Sequence, residues 1–157
     1  MFESGAYVAA ALEAAGADLD HEQVQPNGVD LTLGAVFQQT EPGAITREGK
    51  HVAERTELTT TNDTYRLERG SYVVRYGEPV GIPDEHVGFV YPRSSLLRNS
   101  CMLNTAVWDA GYEGVGEGLL RVGYPIELDP GARIAQIVLA HAEHEGTYDG
   151  DYQREHL

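Results

Sequence analysis

Serine, arginine and aspartate recur in this chain at spacings suited to holding an anion beside a base. Tyr91-Pro92-Arg93-Ser94-Ser95-Leu96-Leu97-Arg98 brings two guanidiniums and two hydroxyls into one short run. Arginine grips phosphate oxygens in a bidentate fork, and hydroxyls and backbone amides add further donors. A helical turn starting after Pro92 would aim more N–H groups at the same anion. Alone, a Ser-Ser pair reads more readily as a helix cap beside a solvated arginine; the neighbouring motifs favour the anion. Asp109 lies in Val107-Trp108-Asp109-Ala110-Gly111-Tyr112-Glu113-Gly114, on a turn for which Gly111 can supply a positive φ. A carboxylate held there can orient and deprotonate a water, a role worth about 10²–10⁴ in rate, or it can simply cap its own turn. Tyr112 either stacks on a sugar or base or packs in the core. The set suits a triphosphate lying next to a general base.

Further polar residues fall around these. In Gly131-Ala132-Arg133-Ile134-Ala135-Gln136, Arg133 and Gln136 have opposite parity on a strand, so Arg133 is expected at a subunit boundary and Gln136 turned inward. Gln136 is then a ligand contact or a satisfied buried amide, because an unpartnered one costs about 1–3 kcal/mol. Asp30, in Gln25-Pro26-Asn27-Gly28-Val29-Asp30-Leu31, has two open uses: a water of a bound cation, or a backbone turn. His141 and His144 form an H-x-x-H pair with no third ligand pattern nearby, which disfavours a metal site. The chain has no GxxxxGK[ST] loop, so its phosphates are not held as in P-loop enzymes. It has no H-x-E followed by P-C-x-x-C, which excludes a zinc-dependent deaminase. The single Cys101 excludes a thiolate cage and an intrachain disulfide.

The elements that must position these residues are mostly strands. Residues 4–15 read as a short helix, with Ser4 as N-cap, an apolar stripe through Tyr7, Val8, Ala11, Leu12 and Ala15, and Gly16 at the C-cap. Short Val-, Ile-, Thr- and Tyr-rich runs follow, at 29–37, 58–61, 64–67, 72–76, 87–91, 118–122, 126–128 and 133–141, separated by Gly, Pro, Asn or Asp. This pattern predicts a mainly β domain, a jelly-roll-like barrel or sandwich. Ile134–Ala140 is nearly continuous apolar sequence and is expected as a central strand covered on both faces. Residues 43–60 read as a polar surface loop or hairpin, and 116–118 (Gly-Glu-Gly) as a bend. The expected organisation is one domain over 1–157, with a helical segment over 1–20 and a charged tail over 142–157. That tail looks mobile by itself, but its tyrosines suit docking.

Composition narrows the partners. The chain has 157 residues and a formal charge of −14, from 25 acidic against 11 basic residues, of which only Lys50 is a lysine. Such a surface repels duplex nucleic acid and anionic membrane, which need a basic footprint. It keeps a protein hydrated where salt screens charges within about 3 Å at 1 M, so a halophilic setting is expected. No run approaches the roughly 18 apolar residues of a membrane span, and the start lacks a basic leader; the expected location is the cytoplasm.

Taken in order, Gln25-Pro26 with Val29-Asp30-Leu31-Thr32-Leu33-Gly34, then Ile82-Pro83-Asp84 with Val90–Leu96, then Val107–Gly114, then Pro130–Gln136 resemble the trimeric dUTPase and zinc-free dCTP deaminase superfamily. The N-terminal helix and the Tyr-rich tail are similar to the deaminase branch and its archaeal dUTPase relatives. The resemblance implies a distorted jelly-roll assembled as a homotrimer, with sites at subunit boundaries and a Mg²⁺-chelated dUTP as ligand. It implies phosphate contacts from Ser94 and Arg98, with Gln136 reaching in from a neighbouring subunit, and it marks Arg93 as the signature arginine. Asp109 matches the water-activating aspartate and Tyr112 the residue beneath the deoxyribose, and the backbone after Asn104 would read uracil. Ser95, Arg133 and the tail's Tyr148, Tyr152 and Gln153 complete the substrate-binding candidates. Where the deaminases carry a proton-shuttling glutamate this chain has Leu119, and Glu117 lies two residues earlier with the same parity. The expectation is therefore dUTP hydrolysis to dUMP and pyrophosphate. Its rivals are a dCTP deaminase, a bifunctional deaminase and dUTPase, and a non-catalytic nucleotide-binding trimer.

Overall fold

The computed structural model describes residues 1–157. Helix α1 covers Gly5–Ala14; the Ser4 hydroxyl accepts from the Tyr7 amide at 3.3 Å, and Gly16 follows at φ +98°. Six strands carry the architecture: β1 (Gly28–Gln39), β2 (Gly70–Tyr76), β3 (His86–Pro92), β4 (Cys101–Asn104), β5 (Glu117–Val122) and β6 (Arg133–His141). A second short helix, α2 (Ser94–Arg98), follows β3 directly. No helix is long and apolar enough to cross a membrane.

The strands run antiparallel in the order β4-β5-β2-β1-β6-β3, and short strands at Val24–Gln25 and Arg55–Glu57 add to β1. The sheet curls until its two edges meet. The Thr105 hydroxyl donates to the Val90 carbonyl at 2.9 Å, and Gly88 and Trp108 exchange backbone hydrogen bonds of 2.8 and 3.1 Å. The result is a nearly closed barrel, which leaves few unpaired strand edges. Alternation fills its interior: Val29, Leu31, Leu33, Val74, Leu120, Ile137 and Leu139 are all at or below 1 % exposure, in one cluster with Val8 and Leu12 of α1. Each such side chain contributes about 1.5–3 kcal/mol on burial.

Several sequence expectations shift. β6 is central, paired with β1 and β3, but its burial alternates: Ile134, Ile137 and Leu139 face inward while Gln136, Val138 and Ala140 are only half-buried on the outside. Residues 116–118 are not a bend, since Glu117 opens β5 opposite Arg75. The two glycines serve close approach instead. A Cβ on Gly116 would overlap the Trp108 ring, and one on Gly118 would come within 2.6 Å of the Tyr76 hydroxyl. The strand expected at 58–61 lies earlier, at Arg55–Glu57, and β4 falls where no strand is expected. The 43–60 stretch holds a small hairpin, Ala44–Ile45 with Lys50–His51.

Candidate active site

The outer face of one half of the barrel forms the floor of a cleft of about 660 Å³. Strand register sets that floor. Phe37, Val73, Leu119 and Asn104 make one row across β1, β2, β5 and β4, and Ala35, Arg75 and Glu117 make the next. The 104–112 loop supplies one wall, with Asn104, Trp108, Asp109 and Tyr112. Val52 and Arg55 reach in from the hairpin side.

The tail supplies the other wall. Tyr148 N donates to the Ala110 carbonyl at 2.7 Å, Arg154 N to Glu113 at 2.7 Å, and Val115 N to the Glu155 carbonyl at 2.9 Å. The segment expected to look mobile thus docks on its own chain, alongside residues 110–115. Gln153 anchors it with both ends of its amide, accepting from Glu113 N at 3.0 Å and donating to the Gly111 carbonyl at 2.8 Å. Gln153 does not line the cleft, whereas Tyr148 and Tyr152 do. The sole lysine, Lys50, pairs with Asp151 at 2.6 Å and lies over the Tyr152 ring at 4.6 Å.

Tyr112 is buried edge-on between Trp108 (5.0 Å) and Tyr148 (5.6 Å), and its hydroxyl donates to Glu155 at 2.9 Å. Burial pushes its hydroxyl well above the ordinary phenol range, and the neighbouring Glu155 adds to that shift. Gly111 adopts φ +82°, as the Asp109 turn requires.

Four acidic side chains line this cleft: Asp109, Glu117, Asp151 and Glu155. Glu117 is clamped by Arg55 at 2.6 Å through both oxygens, by Arg75 at 3.1 Å and by His156 at 3.3 Å. Asp151 belongs to Lys50, and Glu155 to Tyr112 and His156. Asp109 alone has no hydrogen-bond or ion-pair partner, and its side chain is exposed.

The anion-binding residues gather elsewhere on the chain. Asp30, 2 % exposed on β1, meets Arg93 at 3.2 Å and Arg133 at 3.4 Å. Burial raises its carboxyl above the usual value, while the two guanidiniums pull it back. The place expected for a metal-bound water is thus filled by a double ion pair, and Arg93 and Arg133 are committed to it. No group of three His, Cys, Asp or Glu side chains is arranged to hold a metal ion. Gln136 stands cross-strand from both Asp30 and Tyr91, on the half-buried outer face. Ser94 and Ser95 open α2, exposed, with the Arg98 guanidinium donating to the Ser94 carbonyl at 3.3 Å. Within one chain, none of Arg93, Ser94, Ser95, Arg98, Arg133 or Gln136 lines the cleft that holds Asp109. Nothing local in the sequence points to Arg55, Glu155 or His156, and Glu117 stands out there only as a neighbour of Leu119. Only long-range pairing of 55–57 with β1, and of the tail with 110–115, brings them together.

With this geometry in view, the chain's relatives are informative. Residues 4–142 match the model of a family described as dCTP deaminase-like. The chain is 53% identical over 161 residues to a protein of Halobacterium salinarum named "Probable deoxyuridine 5'-triphosphate nucleotidohydrolase", covering 99% of this chain and 95% of that one. It is 38% identical to the deoxyuridine 5'-triphosphate nucleotidohydrolase of Methanocaldococcus jannaschii, covering 87% and 90%. Among solved structures, the 2'-deoxycytidine 5'-triphosphate deaminase of Agrobacterium tumefaciens superposes with a TM-score of 0.68 at 23% identity, over 90% of this chain and about half (48%) of that one. A Staphylococcus bacteriophage 80alpha dUTPase gives 0.52 at 16%, over 86% and 88%, a likeness of fold alone. By the match over most of its length, this chain belongs to the dCTP deaminase-like family.

Proposed function

We propose that the protein hydrolyses dUTP to dUMP and pyrophosphate, as a homotrimer, with Asp109 as the group that activates water. The observation that carries this reading is the free carboxylate: of the four acids lining the cleft, only Asp109 has no partner to satisfy. The names borne by the relatives from Halobacterium salinarum and Methanocaldococcus jannaschii support the substrate.

In this mechanism the base and sugar occupy the cleft. Asp109 accepts a proton from a water as its oxygen attacks the α-phosphorus in line. The bond from that phosphorus to the α,β-bridging oxygen breaks, and pyrophosphate leaves with the electron pair. Most of the acceleration is positioning and charge stabilisation. Ser94, Ser95, Arg98 and Gln136 bind the phosphates from a second copy, which accounts for their distance from the cleft within one chain. The half-buried outer face of Val87, Phe89, Val138 and Ala140 fits a subunit boundary. Magnesium enters chelated to the triphosphate, where it neutralises charge on the leaving group. That suits a chain with one free carboxylate in its cleft and no three-ligand cage of its own.

Leu119, exposed on the cleft floor, offers no proton for ammonia release, and Glu117 beside it is tied up by two arginines. Deamination of dCTP is accordingly the lesser reading. The high acidic charge and the relative from Halobacterium salinarum favour a salt-rich cytoplasm as the setting.

Pyrophosphate release from dUTP tests the reading. Asp109→Asn is expected to lower kcat by about 10²–10⁴, and a loss under threefold would remove Asp109 from this role. Mixing Asp109→Asn subunits with Arg98→Ala subunits should restore part of the activity, since some mixed boundaries then hold one intact half from each parent.

A further inference from the structure

The cleft floor carries a polar group that the mechanism leaves unused. Arg55, from the short strand paired with β1, lays its guanidinium over the Phe37 ring at 4.9 Å, next to Arg75 at 4.7 Å. Its two terminal nitrogens each meet one oxygen of Glu117 at 2.6 Å, so the guanidinium is fixed in a planar fork. Glu117 is 17 % exposed and Arg55 24 %, so both are largely withdrawn from solvent yet line the cleft.

Hydrogen-bond polarity at this end of the cleft is one-sided. A guanidinium offers five N–H donors and no acceptor. Glu117, the acceptor within reach, is saturated: one oxygen takes Arg55, Arg75 and His156, and the other takes Arg55. The Nε–H of Arg55 has no partner in the chain and remains for a ligand. Between Arg55 and Asn104 the floor, Val73 and Leu119, is apolar and suits the face of a ring. At the Arg55 end, a pyrimidine lying on it meets a donor with no free acceptor beside it.

We propose that Arg55, held in place by Glu117, selects a pyrimidine with a carbonyl at position 4 over one with an amino group there. A carbonyl accepts from the free Nε–H of Arg55. An amino group would set donor against donor and leave buried N–H groups unpaired, which a site built for the opposite polarity penalises heavily. The inference rests on the reading of the cleft as a nucleotide site. It adds a side chain to the choice of base, whereas the expected uracil contacts after Asn104 are all backbone.

The test measures dUTP and dCTP binding by calorimetry on the Asp109→Asn protein, with and without Arg55→Ala or Arg55→Lys. Arg55→Ala is expected to weaken dUTP at least tenfold while leaving dCTP unchanged or tighter. Arg55→Lys keeps the charge but loses the fork, and should narrow the preference by a smaller factor; it also serves if the alanine variant fails to fold. Equal weakening of both nucleotides, or unchanged dUTP binding, would overturn the proposal. Wild-type protein that binds dUTP selectively but releases no pyrophosphate would sink the hydrolytic reading and leave this one standing. Binding of neither nucleotide would overturn both.

Discussion

Glu78 shows what one buried side chain can hold. At 6 % exposure its carboxylate accepts from the Thr32 amide (2.8 Å), the Thr32 hydroxyl (2.7 Å) and the Gln23 side-chain amide (2.8 Å). Gln23 also donates to the Asp30 carbonyl at 2.9 Å, so the 3₁₀ turn His21–Gln23 is fastened to β1 beneath the double ion pair. Glu78→Ala would strand one buried and two part-buried donors and is expected to destabilise the fold by about 3 kcal/mol in urea titrations. Glu78→Gln, which keeps one acceptor, should cost less. Residues of this kind are only partly legible in a sequence. Asp109 and the Arg93–Arg98 run announce themselves through type and spacing. Glu78 and Arg55 do not, because their partners lie far along the chain.

Among the elements, the tail is the part most open to control. Its docking buries Glu155 against Tyr112, near Glu117, His156 and Arg55, and burial raises the Glu155 carboxyl above its ordinary value of 4.5. An acid whose value is higher docked than free takes up a proton on docking. Docking therefore strengthens as pH falls from neutral toward the ordinary glutamate range and weakens as pH rises through the raised value. Hydrogen-exchange protection of the Val115 and Arg154 amides should consequently be greater at pH 5.5 than at pH 8, and Glu155→Gln should raise protection at pH 8 and flatten the profile. The elements differ in how far local sequence reveals them, for a physical reason. Ser4, Gly16 and the alternation in β1 are local signals. Gly116 and Gly118 looked like a bend because a glycine that admits a neighbouring ring is indistinguishable, in sequence, from one that turns the chain.

For the whole molecule, the charge of −14 spread over a 17.1 kDa chain sets a repulsion that opposes compactness. Raising KCl from 0.1 to 2 M shortens the screening length from about 10 Å to below 3 Å. The melting temperature should rise across that range, and a flat or falling curve would count against salt adaptation. The nearly closed barrel was legible as fold class from strand spacing alone. Its division into a cleft and a separate arginine cluster was not, because parity assigns a residue to a face without saying which other residues share that face.

The pairing of Lys50 with the tail has a practical corollary. Because every other cation in the chain is arginine or histidine, an amine-reactive dye finds a single side-chain target besides the N-terminus, and that target touches Asp151 and Tyr152. Labelling speed at Lys50 would follow the opening and closing of the cleft without any engineered handle.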